Sequence, residues 1–268
     1  MTSLPKDFAS TLASLRELLT TVEGCLTERE ADFLALLAAC PTAQGEVLEI
    51  GSFKGKSTIA LARGAALAAR PNIVAVDPFT SPAITDPSLA GSQSCFDEFQ
   101  ANLRRADVNQ YVEVHQQSSY ELARCWDRRI RLLWIDGDHT YPATKRDLEL
   151  FTPFLANGAI VALHDVLTTF AGPIRVFAED ILLCPNFGPA GFCGSIGWAQ
   201  YLEDPNLVRG YVPRKMRLHH RLLRLLPFVS SPADLRGLAK VRYKFLRWRV
   251  PHSAVRPSAW IEQVLCLE

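Results

Sequence analysis

The chain has 268 residues, of which 48% are hydrophobic, and this length can bury a substantial core in one domain with appended segments. It contains no run of about 18 consecutive apolar residues, which excludes a transmembrane helix of ordinary length. Its 7 cysteines are an odd set without C-x-x-C spacing, which argues against a disulfide framework and a zinc site.

Charge is distributed unevenly along the chain, although the formal net charge is only +1. Residues 205–268 contain thirteen Lys and Arg against three Asp and Glu, a net charge of +10, whereas the first 204 residues have a net charge of −9. An acidic body with a basic tail predicts that the tail contacts an anionic surface or partner. The N-terminus lacks the basic start and apolar core of a secretory signal, so we expect a cytoplasmic protein with reduced thiols.

The N-terminal residues predict two helices. Residues 6–22 have apolar side chains at helical spacing, and Thr27 and Glu30 have the spacing of a capping box ahead of a second helix that ends at Cys40. We therefore expect residues 1–41 to form a helical lead-in that packs against the edge of a sheet.

Residues 45–58 predict a strand, a tight turn and a helix. An apolar run ends at Ile50, Gly51 and Gly55 follow it four residues apart, and Ser57 opens a helical pattern. Such a unit presents backbone N–H groups and the positive end of a helix to a ligand. The spacing is one residue short of a phosphate-binding P-loop, and the carboxylate of Glu49 would oppose a triphosphate. A P-loop-like nucleotide hydrolase and an ordinary strand–turn–helix connection remain the alternatives.

The next two predicted strands also end in polar residues. The first ends at Asp77. Its carboxylate can accept hydrogen bonds from both hydroxyls of a ribose, since ligands bind at the carboxyl ends of such strands. Alternatively, Asp77 only forms a turn. Residues 79–92 predict a loop beside the ligand crevice. The second strand, at residues 111–115, leads to Gln117 and Ser118, which either hydrogen-bond an adenosine or cap the following helix.

Two further predicted strands are followed by side chains that could take part in catalysis. One ends at Asp136 with His139 close behind, and the other ends at His164 and Asp165. Alternating strand and helix patterns with acids at strand ends predict a doubly wound, mostly parallel α/β sheet with one functional edge.

These strand-end side chains suit a metal and a base. Asp136, His164 and Asp165 would converge on one divalent cation because adjacent strands lie about 5 Å apart, and oxygen ligands favour Mg²⁺. The imidazole of His139, with an ordinary pKa of about 6.5, would take a proton from a hydroxyl. In the alternative interpretation, Asp136 and His139 cap a strand–helix junction and His164 is a core residue.

Four segments together resemble a known family: E-I-G-S-F-K-G-K-S-T, V-A-V-D-P, L-W-I-D-G-D-H-T-Y and A-I-V-A-L-H-D-V. Their order and spacing, over residues 27–203, are similar to those of class I S-adenosylmethionine-dependent methyltransferases of a bacterial saccharide and macrolide-sugar O-methyltransferase branch. The resemblance implies a seven-stranded Rossmann-like sheet, S-adenosylmethionine as cofactor, and methyl transfer to a hydroxyl of a saccharide or other small acceptor.

The resemblance also implies roles for individual residues. It places His139 and Asp136 in catalysis, with His139 as general base, and a metal such as Mg²⁺ at Asp136, His164 and Asp165. Metal-dependent relatives usually have an acid or an amide where His164 stands. Cofactor contacts are implied at Glu49, Gly51, Ser52, Gly55, Ser57, Asp77, Gln117, Ser118 and Asp136.

The remaining residues complete the predicted organisation. Residues 173–184 predict a helix, and the glycine-rich residues 187–195 predict a long turn or a loop lining the acceptor pocket, before a strand at residues 196–202. A hairpin of the last strands at the sheet edge, one of them antiparallel, follows from the resemblance. The segments are then a helical lead-in at 1–41, a cofactor-binding domain at 42–204 and a basic extension at 205–268.

Residues 214–227 alternate basic residues and leucines at helical spacing. In one interpretation the helix lies on an anionic membrane surface, which would make the protein peripheral at the inner face of the membrane. In the other, its leucines pack on the body or on another subunit of a homo-oligomer. No nucleic-acid-binding module accompanies the charge. The predicted function is S-adenosylmethionine-dependent O-methyl transfer, with a nucleotide hydrolase and a non-catalytic cofactor-binding scaffold as alternatives.

Overall fold

The computed structural model describes residues 3–68, 70, 72–80, 95–229 and 235–265. Seven strands form one sheet in the order β3-β2-β1-β4-β5-β7-β6. The first five strands are mutually parallel, and β7 runs antiparallel to both β5 and β6. The strands are β1 (Glu46–Ile50), β2 (Ile73–Val76), β3 (Val112–His115), β4 (Ile130–Ile135), β5 (Leu155–Leu163), β6 (Phe187–Cys193) and β7 (Ile196–Tyr201). The predicted doubly wound, mostly parallel sheet with an antiparallel hairpin at its edge is confirmed.

Helices cover both faces of this sheet. They are α1 (Phe8–Leu19), α2 (Glu28–Ala39), α3 (Lys56–Leu67), α4 (Phe96–Arg105), α5 (Ser119–Ala123), α6 (Tyr141–Phe151), α7 (Ala171–Arg175), α8 (Pro205–Val208), α9 (Val212–Leu223), α10 (Gly237–Trp248) and α11 (Pro257–Gln263). Successive residues of a strand point to opposite faces, so Val47 enters the core under α1 to α4 while Leu48 enters the core under α6, α7, α9 and α10. Both faces are therefore buried, as continuous apolar strands require.

The C-terminal helices take part in both cores. Leu218 and Leu222 of α9 are buried with β6 and α10 residues in one core, and Trp260 of α11 is fully buried in the other. The Trp260 ring lies 4.6 Å from Trp198 of β7, measured between centroids. Of the leucines in residues 214–227, Leu218, Leu222 and Leu225 are buried, whereas Leu223 is 38% exposed. For α9 this favours packing on the body, one of the two predicted alternatives.

Two other local predictions need correction. The predicted helix at residues 173–184 begins as α7 and continues as a π-helical turn over Val176–Ile181. The glycine-rich residues 187–195 are mostly strand β6, in which Gly188 lies against Leu202 and Gly191 against Trp198. Those glycines leave room for large neighbours and do not mark a loop. The loop predicted at residues 79–92 lies, from residue 81 onward, outside the described residues.

Within the described part of the chain, no helix is both long enough and apolar enough to cross a membrane.

The contact between α2 and α3 depends on Gly64. A Cβ at this position would lie 2.8 Å from the Cα of Ala35 and still closer to its carbonyl oxygen, so the two helices pack at backbone distance. We expect Gly64→Ala to lower the free energy of unfolding by about 1 to 3 kcal/mol, because the helices must separate to admit the methyl group.

Urea denaturation measures this change. Gly210→Ala is the matched control, since no described atom lies within 4 Å of the Cβ it would add. Equal stability of the two variants would contradict the proposed backbone contact.

Candidate functional site

The carboxyl ends of the parallel strands open into a cavity of about 370 Å³. Parallel strands bring their carboxyl ends to one edge of the sheet, where doubly wound folds bind ligands. Six residues predicted to contact a cofactor line this cavity: Gly51, Ser52, Ser57, Asp77, Ser118 and Asp136. His139, His164 and Asp165 line it as well. Glu49, Gly55 and Gln117, also predicted as cofactor contacts, are not among the described residues of its wall.

Glu49 stabilises the turn after β1 through side-chain hydrogen bonds. Its side chain is fully buried and accepts hydrogen bonds from the hydroxyls of Ser52 at 3.0 Å, Ser57 at 2.6 Å and Thr58 at 2.5 Å. Burial raises the pKa of Glu49 to about 7, although these hydrogen bonds oppose the shift. Glu49 therefore ties the turn to the start of α3, and its predicted contact with a cofactor stays a prediction.

The turn itself lies against the end of β4. Gly51 has a φ of +84°, and a Cβ there would lie 2.9 Å from the Cα of Gly137. Only glycine tolerates both this backbone conformation and this close approach. Gly55 follows as the residue that precedes α3.

Asp77 joins the turn to the end of β2. One carboxylate oxygen accepts hydrogen bonds from the backbone N–H groups of Ser52 at 2.8 Å and Phe53 at 3.0 Å, and the other accepts one from Phe79 at 2.7 Å. The carboxylate lines the cavity while organising its wall, so a ligand hydroxyl would meet an oxygen that is already fixed in place.

Ser118 has the predicted capping role. Its hydroxyl accepts a hydrogen bond from the Glu121 N–H at the start of α5, and the Glu121 side chain accepts one from the Ser118 N–H. Gln117 precedes this cap and lies off the cavity wall, because the chain turns into the helix at Ser118. The neighbouring Ser119 hydroxyl donates to Asp147 at 2.6 Å.

His164 lies at the centre of a buried group of acids. Its Nδ1 lies 3.0 Å from a carboxylate oxygen of Asp136 and 3.7 Å from one of Asp165, and its Nε2 lies 3.9 Å from Glu30. Burial lowers the pKa of His164, but the three carboxylates outweigh burial and hold the pKa well above its ordinary value. His164 is therefore an imidazolium that donates from Nδ1 to Asp136.

Glu30 is a site residue that sequence reasoning missed. It was predicted only as the capping-box acid of α2, a role it has, since its carboxylate accepts the Thr27 N–H at 2.9 Å. It also accepts hydrogen bonds from the Ser195 N–H and hydroxyl, at 2.6 and 2.8 Å. Burial raises the pKa of Glu30, but His164, Thr27 and Ser195 outweigh burial and keep the pKa well below its usual range. Glu30 thus remains an anion beside His164.

His139 faces the two strand-end acids. Its Nε2 lies 3.7 Å from Asp136 and 3.5 Å from Asp165, and its ring stacks on Phe170 at 4.2 Å between centroids. Neither ring nitrogen makes a hydrogen bond to a described residue, although both are buried. Burial lowers the pKa of His139, but Asp136 and Asp165 outweigh burial and raise it. An unpartnered imidazole of this kind can exchange a proton with a molecule in the cavity.

The residues grouped closely enough for a metal overlap only in part with the predicted metal set. Asp136, His139 and Asp165 each offer one atom within 4.8 Å of the others, which is close enough for a cation. His164 is outside this group, and its Nδ1 lies in a hydrogen bond to Asp136 at 3.0 Å. Mg²⁺ also prefers oxygen ligands in an octahedral arrangement. A metal site at Asp136, His164 and Asp165 stays a prediction, and no step is assigned to a metal.

Comparisons with known proteins agree with this fold. Residues 48–166 match the model of a family described as a methyltransferase domain. Residues 48–166 are therefore similar to a methyltransferase domain, and the chain shares the fold that the sequence predicted with solved methyltransferases.

Solved structures share the fold at low sequence identity. An O-methyltransferase from Bacillus cereus in complex with SAH is 22% identical, with a TM-score of 0.52 over 71% of this chain and 90% of that one. The second is TomG from Streptomyces achromogenes, an O-methyltransferase involved in tomaymycin synthesis and solved with SAM. It is 19% identical, with a TM-score of 0.52 over 75% of this chain and 92% of that one. The O-methyltransferase NovP is 11% identical, with a TM-score of 0.57 over 73% of this chain and 98% of that one.

The charge on His164 predicts a pH-dependent stability. Because its pKa is raised on folding, the stabilisation is fully present below the ordinary value of about 6.5 and is lost as pH rises through the folded value. His164→Gln leaves the carboxylates without their cation, and we expect it to cost about 3 kcal/mol near pH 6, with the cost declining towards pH 10.

Denaturation of both proteins across this pH range measures the difference in unfolding free energy. His220→Gln is a control for loss of an exposed imidazole. A difference between the wild type and His164→Gln that grows with pH would contradict a buried imidazolium.

Proposed function

We propose that the protein transfers the methyl group of S-adenosylmethionine to a hydroxyl oxygen of a small acceptor. The observation that carries this proposal is that one cavity joins the turn after β1 and Asp77 to an unpartnered imidazole between two carboxylates. The first half suits a nucleoside-containing cofactor, and the second suits removal of a hydroxyl proton.

The cofactor half of the cavity is formed by residues from three strand ends. Asp77 presents a carboxylate to the hydroxyls of a ribose, and Ser118 and Ser119 present hydroxyls to the adenosine. The backbone of Gly51 to Phe53 forms the wall beside the methionine part. The neighbouring structures with bound SAM or SAH support this assignment of the cofactor.

The reacting half is built around His139. Methyl transfer is an in-line displacement, in which the acceptor oxygen forms a bond to the methyl carbon while the bond from carbon to the sulfonium sulfur breaks. His139 takes the hydroxyl proton, and Asp136 and Asp165 stabilise the imidazolium that results. The protein otherwise contributes positioning and the exclusion of water.

A saccharide or another polyhydroxylated small molecule is the acceptor we favour. Tyr120, Asp138 and Arg146 lie on the cavity wall and bring a hydroxyl, a carboxylate and a guanidinium to its rim. Such groups bind neighbouring hydroxyls of a sugar through paired donors and acceptors. The involvement of TomG in tomaymycin synthesis supports a small-molecule acceptor.

The two alternative functions are less well supported. In a P-loop the lysine reaches a phosphate, whereas Lys56 here donates to the carbonyl oxygen of Gly24 at 3.2 Å. The buried Glu49 beneath the turn would also repel a triphosphate. A non-catalytic scaffold would have no use for the unpartnered nitrogens of His139.

The basic extension belongs to the proposal in a modified form. An anionic membrane surface remains the partner we propose for it, with a location at the inner face of the membrane. Helix α9 is the less suitable element for this contact, because Leu218 and Leu222 of its apolar face are buried. A homo-oligomer formed through the tail stays a prediction.

Loss of His139 should slow turnover strongly without loss of cofactor binding. We expect His139→Gln to lower the rate of methyl transfer about 10²- to 10⁴-fold, because the hydroxyl then loses its base. The affinity for S-adenosylhomocysteine, measured by calorimetry, should stay near that of the wild type.

The rate is measured with radiolabelled S-adenosylmethionine and a panel of sugars and phenols. His115→Gln is the matched control. His115 is also at the carboxyl end of a parallel strand, β3, but its imidazole is hydrogen-bonded to Glu113 at 2.6 Å and does not line the cavity. Unchanged turnover in His139→Gln would refute the assigned base. ATP–Mg²⁺ binding without S-adenosylmethionine binding would favour the hydrolase.

Metal removal should leave the reaction intact. Since the unpartnered nitrogens of His139 are available to take the proton, we expect methyl transfer to continue at an unchanged rate after exhaustive dialysis against EDTA. The rate is compared before dialysis, after it, and after adding back Mg²⁺ or Mn²⁺. Loss of activity that either ion restores would contradict proton removal by His139 alone and would support the predicted metal site.

A further inference from the structure

Helix α10 carries apolar side chains on two opposite faces. Its inner face is buried in the core through Tyr243 and Leu246. The Tyr243 hydroxyl donates to the carbonyl oxygens of Leu167 at 3.2 Å and Thr168 at 2.5 Å, in the loop that follows Asp165. The helix is therefore fixed to the body on one side, and its other side needs a separate explanation.

The outer face is an exposed apolar ridge. Leu238 is 87% exposed, Val241 63%, Phe245 54% and Trp248 75%. Their spacings of three, four and three residues place all four on one side of the helix, within an arc of about 80°. The rings of Phe245 and Trp248 lie 6.4 Å apart, measured between centroids. A folded monomer rarely leaves four large apolar residues in one stripe unless another surface covers them.

Basic residues flank this ridge on both sides. At about 100° per residue, Lys240 and Lys244 lie along one edge, and Arg242 and Arg249 lie along the other. All four are exposed. The sequence has no Asp or Glu between residues 235 and 261, so no acid on the helix offsets these charges. The surface is apolar along its centre and cationic along both edges.

We propose that the outer face of α10 docks on an anionic lipid membrane. Leu238, Val241, Phe245 and Trp248 would enter the boundary between headgroups and acyl chains, and the lysines and arginines on both sides would contact lipid phosphates. An interfacial helix combines a large apolar stripe, aromatic side chains and a basic polar face in this way. The charge on both edges is complementary to an anionic surface that extends beyond the width of the helix.

A second copy of this chain is a less suitable occupant. If two α10 ridges packed against each other, the basic rows of one helix would lie beside the basic rows of the other, and like charges at that distance repel. A membrane offers anionic groups on both sides of the ridge at once. The proposal replaces residues 214–227 with α10 as the membrane-binding element and is independent of the reaction the cavity performs.

The test is vesicle flotation of the full chain at low salt. We expect binding to vesicles of equal parts phosphatidylglycerol and phosphatidylcholine, little binding to phosphatidylcholine alone, and strong weakening at high salt. The double variant Phe245→Ser and Trp248→Ser should bind the anionic vesicles about tenfold less tightly. Lys240→Glu with Lys244→Glu should weaken binding by about tenfold as well.

Matched controls separate the helix from the rest of the surface. Leu183→Ser removes a leucine that is 49% exposed elsewhere on the protein, and Arg104→Glu with Arg124→Glu reverses two exposed charges on the body. Both controls should bind like the wild type, and thermal denaturation monitored by circular dichroism checks that every variant is folded.

Three results would overturn the proposal. The first is no flotation with either vesicle, and the second is flotation that the α10 variants leave unchanged. The third is a dimer, seen by sedimentation, that Phe245→Ser with Trp248→Ser dissociates, which would assign the ridge to a second copy. If flotation fails and an acidic protein partner binds with the same dependence on Lys240 and Lys244, the membrane is likewise refuted.

Discussion

The charge of one buried imidazole organises the functional edge of this protein. His164 lies among Glu30, Asp136 and Asp165, which come from α2 and from the ends of two adjacent strands. Removal of three carboxylates from water is costly unless a cation compensates them, and His164 supplies that cation from within the fold. The arrangement leaves His139, which faces the same acids from the cavity side, as the imidazole without a fixed partner.

The sheet makes this arrangement possible. Parallel pairing of β4 with β5 sets Asp136 and Asp165 at neighbouring strand ends, and the turn after Asp165 holds that residue at a φ of +55°, a conformation uncommon outside glycine. Such a conformation persists where the surroundings impose it, and it occurs often at functional sites. On the other side, Glu49 and Asp77 fix the turn after β1 through side-chain and backbone hydrogen bonds. Both halves of the cavity are thus organised before a ligand enters.

Sequence patterns were sufficient for the sheet and for the residues at its strand ends, because apolar runs that end in polar residues mark the edge of a parallel sheet. They were not sufficient for the state of those residues. His164 has the side chain of a metal ligand, and its charge depends on Glu30, which lies 134 positions earlier and is marked only by a capping pattern. Glycines in β6 suggested a loop because composition does not report that Trp198 and Leu202 fill the space beside them. The period of the leucines in α9 indicated an apolar face, but not what covers it.

Glu30 performs two tasks that are usually separate. It closes the capping box that starts α2, and it is a counterion of the buried imidazolium beside the cavity. The N-terminal helices and the sheet are consequently not interchangeable modules. A lineage that shortened, replaced or swapped this helical segment would lose an anion from the protein interior, and the charge of His164 would have to change with it. Evolution of the lead-in and of the residue at position 164 should therefore be coupled.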